Sequence, residues 1–436
     1  MKKLSLHWQI LIAITLAAII GSLVKFDSLN GTVSNFLGIS YISIFEYIGT
    51  LFLNALKMII VPLIVSSIIV GVAGIGDAID LKLIGIKTLI FYSMTTIFAI
   101  LIGLFLINLI SPGYIDNEPA GKLLALDSYQ PNDLSANIQA KGINDAANVF
   151  IRMVPPNIFK AAAEGQMLGL IFFSILFGYF MTKLPSQLKI SFFSFWDATF
   201  RVMMNMTEWI MKFAPVGVFG LVAAVIAKTG FSAVKPLAVF SLTVICALLL
   251  HAAVILPLLI RFIAKIDPIA VFKASSSAML TAFSTASSSA TLPISMRIAE
   301  KNIGISNKIT SFVLPLGATV NMNGTALYEC AAAMFLAQAY GLQLDLGVQF
   351  TIVIIALMTS IGVAGVPSAS LVAIAIILGS IGLPIEAIGV LMVFDRVLDM
   401  FRTSVNVWGD IVCTAIISRL SGEQTNFGIS ENRVQK

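Results

Sequence analysis

Apolar runs of about 20 residues, the length of a helix that crosses a bilayer, recur through most of the 436-residue chain. They predict helices near residues 7–25, 42–74, 83–111, 162–184, 192–228 and 235–264. Several exceed the minimum span, which suits tilted or broken helices. Pro62, Pro215 and Pro257 fall inside these stretches and predict kinks, tolerated where neighbours satisfy the freed backbone groups. The first run, from about Trp8 to Val24, follows Lys2 and Lys3 and resembles a signal peptide in outline. It lacks a small-residue cleavage site ahead of further membrane segments, so it reads as a retained first helix. Between residues 112 and 158 the pattern turns polar, with Asp116, Glu118, Asp127, Asp133 and Asp145 against Lys122, Lys141 and Arg152. That stretch predicts one sizeable extramembrane region.

The second half has a different pattern. Residues 268–302 hold Ser275, Ser276, Ser277, Ser284, Thr285, Ser287, Ser288, Ser289 and Thr291, too many hydroxyls for a lipid-facing helix. Residues 348–385 set Gly362, Gly365, Pro367, Ser368 and Ser370 amid strong apolar stretches. Both read as helix, break, helix. Non-helical backbone at membrane depth is tolerated only where protein or a water-filled cavity covers it. A pair of interrupted segments in comparable places points to a transporter binding site built from inverted repeats. Two ordinary kinked spans are the alternative.

Composition sharpens this picture. Hydrophobic residues make up 58% of the chain and charged ones 11%, against about 25% charged in soluble proteins. Such a chain cannot cover a soluble surface with polar groups, so most of its surface faces lipid. The formal charge of +5 is modest, and no basic stripe with interleaved aromatics suggests nucleic acid. Positive charge sets orientation in membranes. Lys2 and Lys3 place the N-terminus in the cytoplasm, Lys82 and Lys87 then fall inside, and the acidic 112–158 loop falls outside. Arg419, Arg433 and Lys436 mark a cytoplasmic C-terminus. Cys246, Cys330 and Cys413 lie in apolar segments without metal-ligand spacing and read as buried thiols.

The densest chemistry lies in the last apolar segment. Asp395, Asp399, Arg402, Asn406 and Asp410 are spaced 4, 3, 4 and 4 apart, which lines them on one helical face. A charge near the bilayer centre costs at least a few kcal/mol, so such residues face the bundle interior and usually mark a pathway. An ion-pair ladder holding the bundle together is the bland alternative. Three carboxylates, an amide and a guanidinium in register fit a ligand better. Arg402 offers a planar fork matched to a carboxylate. Asp399 accepts from an ammonium group, Asn406 donates to a second carboxylate, and Asp410 offers oxygens to a hard cation. Together these describe an acidic amino acid such as aspartate or glutamate. Upstream, Gly317-Ala318-Thr319-Val320-Asn321-Met322-Asn323-Gly324-Thr325-Ala326-Leu327-Tyr328-Glu329 puts polar side chains and two glycines inside an apolar helix. Unwinding there frees carbonyls for a cation; a helix-packing motif is the alternative.

At four places the chain resembles the glutamate/dicarboxylate–cation symporter family, which includes excitatory amino acid transporters and prokaryotic aspartate carriers. They are Ser287-Ser288-Ser289-Ala290-Thr291-Leu292-Pro293, Asn321-Met322-Asn323-Gly324-Thr325, Gly365-Val366-Pro367-Ser368-Ala369-Ser370 and the last-helix stripe. The resemblance runs over nearly the whole chain and is densest from about 268 to 412. It implies an all-α polytopic membrane protein with eight transmembrane helices and two re-entrant helical hairpins. It further implies an elevator-type inverted-repeat transporter, assembled as a homotrimer in the plasma membrane (the inner membrane in bacteria). Residues 1–82 would hold scaffold helices 1 and 2, 83–111 a transport-domain helix, 112–161 an extracellular loop and 162–234 scaffold helices 4 and 5. Residues 235–421 would complete the transport domain, and 422–436 would be a cytoplasmic tail.

By the same resemblance, Ser288, Thr325, Val366, Ser370, Asp399, Arg402, Thr403 and Asn406 hold the substrate. One Na⁺ site uses Gly317, Asn321, Asn406 and Asp410. A second uses Thr319 with backbone oxygens at Ser360, Ile361 and Val363. A third uses Tyr92, Thr95, Thr96, Asn321 and Asn323. Family members usually carry aspartate where this chain has Asn323, which removes a full charge from that site. Relatives that co-transport a proton carry glutamate at the position of Glu329, the implied proton carrier. Coupling is therefore expected to shift from Na⁺ toward protons or toward fewer Na⁺. No bound cofactor is expected beyond the transported cations. Many relatives have an extra arginine at the position of Ala286 or Met400, where this chain has neither, and Ser370 replaces a glycine common at the second hairpin tip.

Three other function classes compete. A succinate-like dicarboxylate would leave Asp399 without an ammonium partner. A gated anion channel would not concentrate a substrate. For an enzyme, the two histidines, His7 and His251, lie far from the stripe in sequence, and no nucleophile–base pair appears.

Overall fold

The computed structural model describes residues 6–29, 35–36, 39–73, 79–124, 126, 154–163, 167–362 and 370–428. Helix dominates, as expected of a chain whose backbone groups must be satisfied without water. The helices are α1 (Leu6–Leu29), α2 (Tyr41–Ala73), α3 (Ile79–Ile110), α4 (Ile158–Ala163), α5 (Met167–Met181), α6 (Ser186–Met211) and α7 (Ala214–Thr229). Then come α8 (Val234–Leu250, extended by further helical turns to Ala264), α9 (Pro268–Thr285), α10 (Ser288–Arg297), α11 (Asn307–Val320) and α12 (Asn323–Ala339). The chain closes with α13 (Leu346–Gly362), α14 (Ser370–Ile381) and α15 (Ile388–Leu420). By length and composition, Trp8–Phe26, Ile84–Ile110 and Val234–Ala264 are long and apolar enough to cross a membrane.

One helix expectation needs correction. The helix expected over 192–228 is two helices, α6 and α7, and Pro215 does not kink a continuous span. It sits in the first turn of α7, where its missing N–H has no partner to lose. The helix expected over 162–184 is described as α4 and α5, and residues 164–166 between them lie outside the described residues. Pro62 does lie inside α2. Pro257 lies in the segment Leu256–Leu259, with a π-helical turn on each side, His251–Ile255 and Ile260–Ala264. Wider turns accommodate a residue that cannot donate to the ladder.

The first interrupted segment takes the expected form. Ala286, in the left-handed conformation at φ 50°, ends α9, and Ser287 accepts from the Ala290 amide to start α10. In the second segment α13 and α14 flank residues 363–369, which lie outside the described residues. A further break falls at Asn321 and Met322, both non-helical, between α11 and α12. Part of the expected polar loop is described, as a small antiparallel pairing of Tyr114–Ile115 with Glu118–Pro119.

The two hairpins are anchored at opposite ends of α3. Near one end, Lys87 donates to the Leu420 carbonyl at the close of α15. The same C-terminal region reaches the base of the first hairpin, where Asn426 donates to Asn302 and Arg419 to Ala264. Near the other end, Asn108 donates to Gln349 in the first turn of α13, and Gln338 donates to the Ile107 carbonyl. Between these ends runs α12, whose 17 residues are all buried. Its alanines let α3, α8, α13, α14 and α15 pack closely around it.

Candidate functional site

The polar stripe on α15 is buried along its length: Asp395, Asp399, Arg402, Thr403, Asn406 and Asp410 are all shielded from solvent. Its neighbours are the broken α11–α12 segment and the ends of both hairpins. Ser404 donates to the Met279 carbonyl of α9, and Phe401 meets Phe283 edge to face. Ser288, expected to touch substrate, is buried at the start of α10.

Arg402 is the centre of the site. Its Nη2 donates to Asp399 Oδ1 at 2.9 Å and to Asp395 Oδ1 at 3.1 Å, and its Nη1 donates to Ser370 Oγ at 2.7 Å. The guanidinium carbon lies 3.9 Å from the centroid of the Tyr328 ring. Its Nε has no hydrogen-bond partner. A buried guanidinium is tolerable only when paired, and here two carboxylates, a hydroxyl and a π-face share the task. These are the groups an acidic ligand would exchange with. Thr403, one residue along, donates to its own helix at the Asp399 carbonyl.

One turn further, Asn406 bridges α15 to the start of α12. Its Oδ1 accepts from the Gly324 amide at 2.8 Å, and its Nδ2 donates to Thr325 Oγ1 at 3.0 Å. Glycine at 324 is what permits this approach, since a Cβ there would lie 2.8 Å from the Arg402 carbonyl oxygen. The amide therefore ties two expected substrate residues, Thr325 and Arg402, into one frame.

Three of the four ligands of the first expected cation site, Gly317, Asn321 and Asp410, also converge. Asn321 Nδ2 donates to Asp410 Oδ1 at 2.8 Å. A Cβ on Gly317 would sit 2.5 Å from both Asp410 Oδ1 and Tyr92 Oη, so Gly317, Asp410 and Tyr92 enclose one small volume. Asn321 Oδ1, fully buried, has no hydrogen-bond partner. A desolvated carbonyl oxygen left unpaired is costly, and its chemistry suits a hard cation. Among the described residues no three His, Cys, Asp or Glu side chains group as metal ligands do, and the oxygens gathered here are one carboxylate, one amide and one phenol.

In the other two expected cation sets the described hydrogen bonds are mostly local. Thr319 and Ser360 donate to carbonyls of their own helices, at Leu316 and Leu357. Ile361 lies in the last turn of α13, while Val363 lies outside the described residues, as does Val366 of the substrate set. Thr95 donates to the carbonyls of Phe91 and Tyr92, Thr96 is buried, and Tyr92 donates to the Val313 carbonyl. Asn323 faces His251, with Nδ2 3.3 Å from His251 Nε2, and its own Oδ1 has no hydrogen-bond partner.

Glu329 is fully buried on α12, one residue past Tyr328. Its Oε2 accepts from Thr359 on α13 at 2.8 Å, and its Oε1 has no hydrogen-bond partner. The carboxyl thus joins the spine of the bundle to the first arm of the second hairpin.

Tyr328 and Thr359 carry no role in the sequence pattern, and His251 stands there only as a histidine distant from the stripe. His251 reaches Asn323 across 72 positions and Thr359 reaches Glu329 across 30, and no local periodicity marks either pair. Tyr328 was legible only as part of an apolar helix.

A buried charged helix, flanked by the helix pairs α9–α10 and α13–α14 and surrounded by segments fit to cross a bilayer, defines a membrane transporter. The chain belongs to the sodium:dicarboxylate symporter family, which matches residues 6–420. It is 36% identical to the proton/glutamate-aspartate symporter of Escherichia coli (strain K12), covering 96% of this chain and 93% of that one. It is 35% identical to a proton/sodium-glutamate symport protein of Geobacillus stearothermophilus, covering 97% and 96%. With human excitatory amino acid transporter 3 the identity is 33%, covering 94% and 84%.

Proposed function

We propose that this chain is a secondary active symporter that takes up aspartate or glutamate, coupled to a proton or Na⁺ gradient. One observation carries the reading. A fully buried arginine, Arg402, is held by two carboxylates and a hydroxyl that a dicarboxylic amino acid is able to replace. In the bound state Arg402 grips the side-chain carboxylate as a fork. Asp399 accepts from the ammonium group. Ser288, Thr325, Val366, Ser370, Thr403 and Asn406 complete the enclosure. The names of the relatives support the substrate class.

The cations are cargo. Gly317, Asn321, Asn406 and Asp410 hold one Na⁺, and Thr319 with Ser360, Ile361 and Val363 a second. Asn323 weakens a third site at Tyr92, Thr95, Thr96 and Asn321. Glu329 carries a proton, and its burial against Thr359 supports that role.

In this reading eight transmembrane helices and two re-entrant hairpins assemble as a homotrimer. Residues 1–82 and 162–234 form the scaffold. Residues 83–111 and 235–421 form the moving unit of an elevator, 112–161 an extracellular loop, and 422–436 a tail. Both termini are cytoplasmic. The Lys87–Leu420 contact supports placing the start of α3 and the end of α15 on one side.

Uptake of labelled aspartate into proteoliposomes, with Na⁺ and proton gradients imposed separately, tests the reading. Saturable uphill uptake driven by either gradient is expected. Passive equilibration under both gradients would sink it.

A further inference from the structure

We infer that Arg396 is a specificity-determining residue of this site: it is the counter-cation of Asp399 and sets how strictly the substrate's amino group is required. The inference rests on the acidic amino-acid reading above and concerns the group opposite the ammonium.

Asp399 stands between two guanidinium groups of its own helix. Its Oδ1 accepts from Arg402 Nη2 at 2.9 Å, while its Oδ2 faces Arg396 Nη1 at 3.5 Å. The second distance is an ion pair but exceeds the usual hydrogen-bond range of about 2.7–3.2 Å. The Arg396 side chain is 5% exposed, and its Nε and Nη1 have no hydrogen-bond partner. A desolvated guanidinium with unfilled donors is an unusual expense. Here it points to a contact made in another state of the site.

Substrate exchange supplies that state. Nη1 and Nη2 of Arg402 are engaged by Ser370, Asp395 and Asp399, so gripping a substrate carboxylate displaces some of these partners. An amino acid brings an ammonium group to replace the guanidinium at Asp399. A four-carbon dicarboxylate without an amino group brings none, and a buried carboxylate stripped of its counter-charge is strongly disfavoured. Arg396 removes that obstacle. It lies three residues before Asp399 on the same helical face, and closing a few tenths of an ångström turns the ion pair into a hydrogen bond. The objection that Asp399 alone bars amino-free dicarboxylates therefore does not hold for this chain.

The test uses the full-length protein in proteoliposomes. Succinate is titrated against labelled aspartate uptake, and the ratio of its half-inhibiting concentration to the aspartate KM is compared between wild type, Arg396→Gln and Arg396→Lys. In Arg396→Gln the ratio is expected to rise by about tenfold or more, with the aspartate KM changed less than about threefold, because only the amino-free ligand loses its counter-charge. Arg396→Lys, which keeps the cation, stays within about threefold of the wild-type ratio. Equal loss of affinity for both ligands in Arg396→Gln would make Arg396 merely structural and overturn the assignment. Should Arg396→Gln fail to insert, the wild type decides: inhibition by succinate at about a hundredfold excess is required, and its absence overturns the assignment too. A wild type without saturable aspartate uptake would instead remove the underlying reading, and the assignment with it.

Discussion

The guanidinium carbon of Arg402 lies over the ring of Tyr328, 3.9 Å from its centre, while its nitrogens are bonded to carboxylates. The ring thus offers the charge a contact that remains when the carboxylates are exchanged for substrate. A desolvated cation–π contact contributes about 2 kcal/mol. Tyr328→Leu is therefore expected to weaken aspartate affinity by about tenfold or more, and Tyr328→Phe by less than about threefold, since Phe keeps the π-face. Equal losses in both variants, measured as KM for uptake, would refute a role for the ring face.

Arg402→Ala removes the fork itself. Aspartate binding is expected to vanish while the protein still inserts and elutes as a single species in detergent. Arg402→Lys does not restore it, because a point charge cannot make the paired contacts of a guanidinium. Retained aspartate affinity in Arg402→Ala would refute the placement of the substrate.

For Glu329, exchange to Gln preserves volume and the acceptor for Thr359 but removes the titratable group. Proton-driven uptake in the absence of Na⁺ is expected to stop, with binding of aspartate preserved. Unaltered response to an imposed pH gradient would return Glu329 to a purely structural part.

Gly317→Ala forces a methyl group against Asp410 and Tyr92 at 2.5 Å. Overpacking of this kind costs about 1–3 kcal/mol, and it falls on the residues proposed for one Na⁺. The variant is expected to lower thermal stability and raise the Na⁺ concentration for half-maximal uptake. Gly379→Ala is the control, because nothing lies within 4 Å of a Cβ there. Equal behaviour of the two variants would argue against a confined site at Gly317.

Asn323→Asp adds a carboxylate beside Asn321 and His251. A unit charge near a cation in a partly buried setting is worth about 4 kcal/mol, so apparent Na⁺ affinity is expected to improve by about tenfold or more. An unchanged Na⁺ requirement would place Asn323 outside any cation site.

Much of this arrangement was legible along the chain. Spacings of 4, 3, 4 and 4 put Asp395, Asp399, Arg402, Asn406 and Asp410 on one face, and they line one buried stripe. Serine-rich and glycine-rich interruptions marked both hairpins, because a broken helix needs residues that satisfy or release backbone groups locally. The partners across the bundle were not legible. Ser370 meets Arg402 over 32 positions and Asn321 meets Asp410 over 89, contacts fixed by packing and not by any local pattern. Boundaries failed for a similar reason. Lys212 and Phe213 are as compatible with helix as their neighbours, so the break between α6 and α7 left no mark except Pro215, which reads equally as a kink.

The complete enclosure of α12 bears on how this chain is able to vary. An ordinary amphipathic helix has an outward side on which mutations accumulate freely, but Asn323–Ala339 has none. Any enlargement among Ala331, Ala332, Ala333, Ala337 and Ala339 meets a packed neighbour. Divergence in this segment must therefore proceed by paired changes, a residue here together with one on α3, α8, α13, α14 or α15. Single-site libraries will find few tolerated substitutions along it, and swaps from relatives will succeed only when the facing helices travel with it.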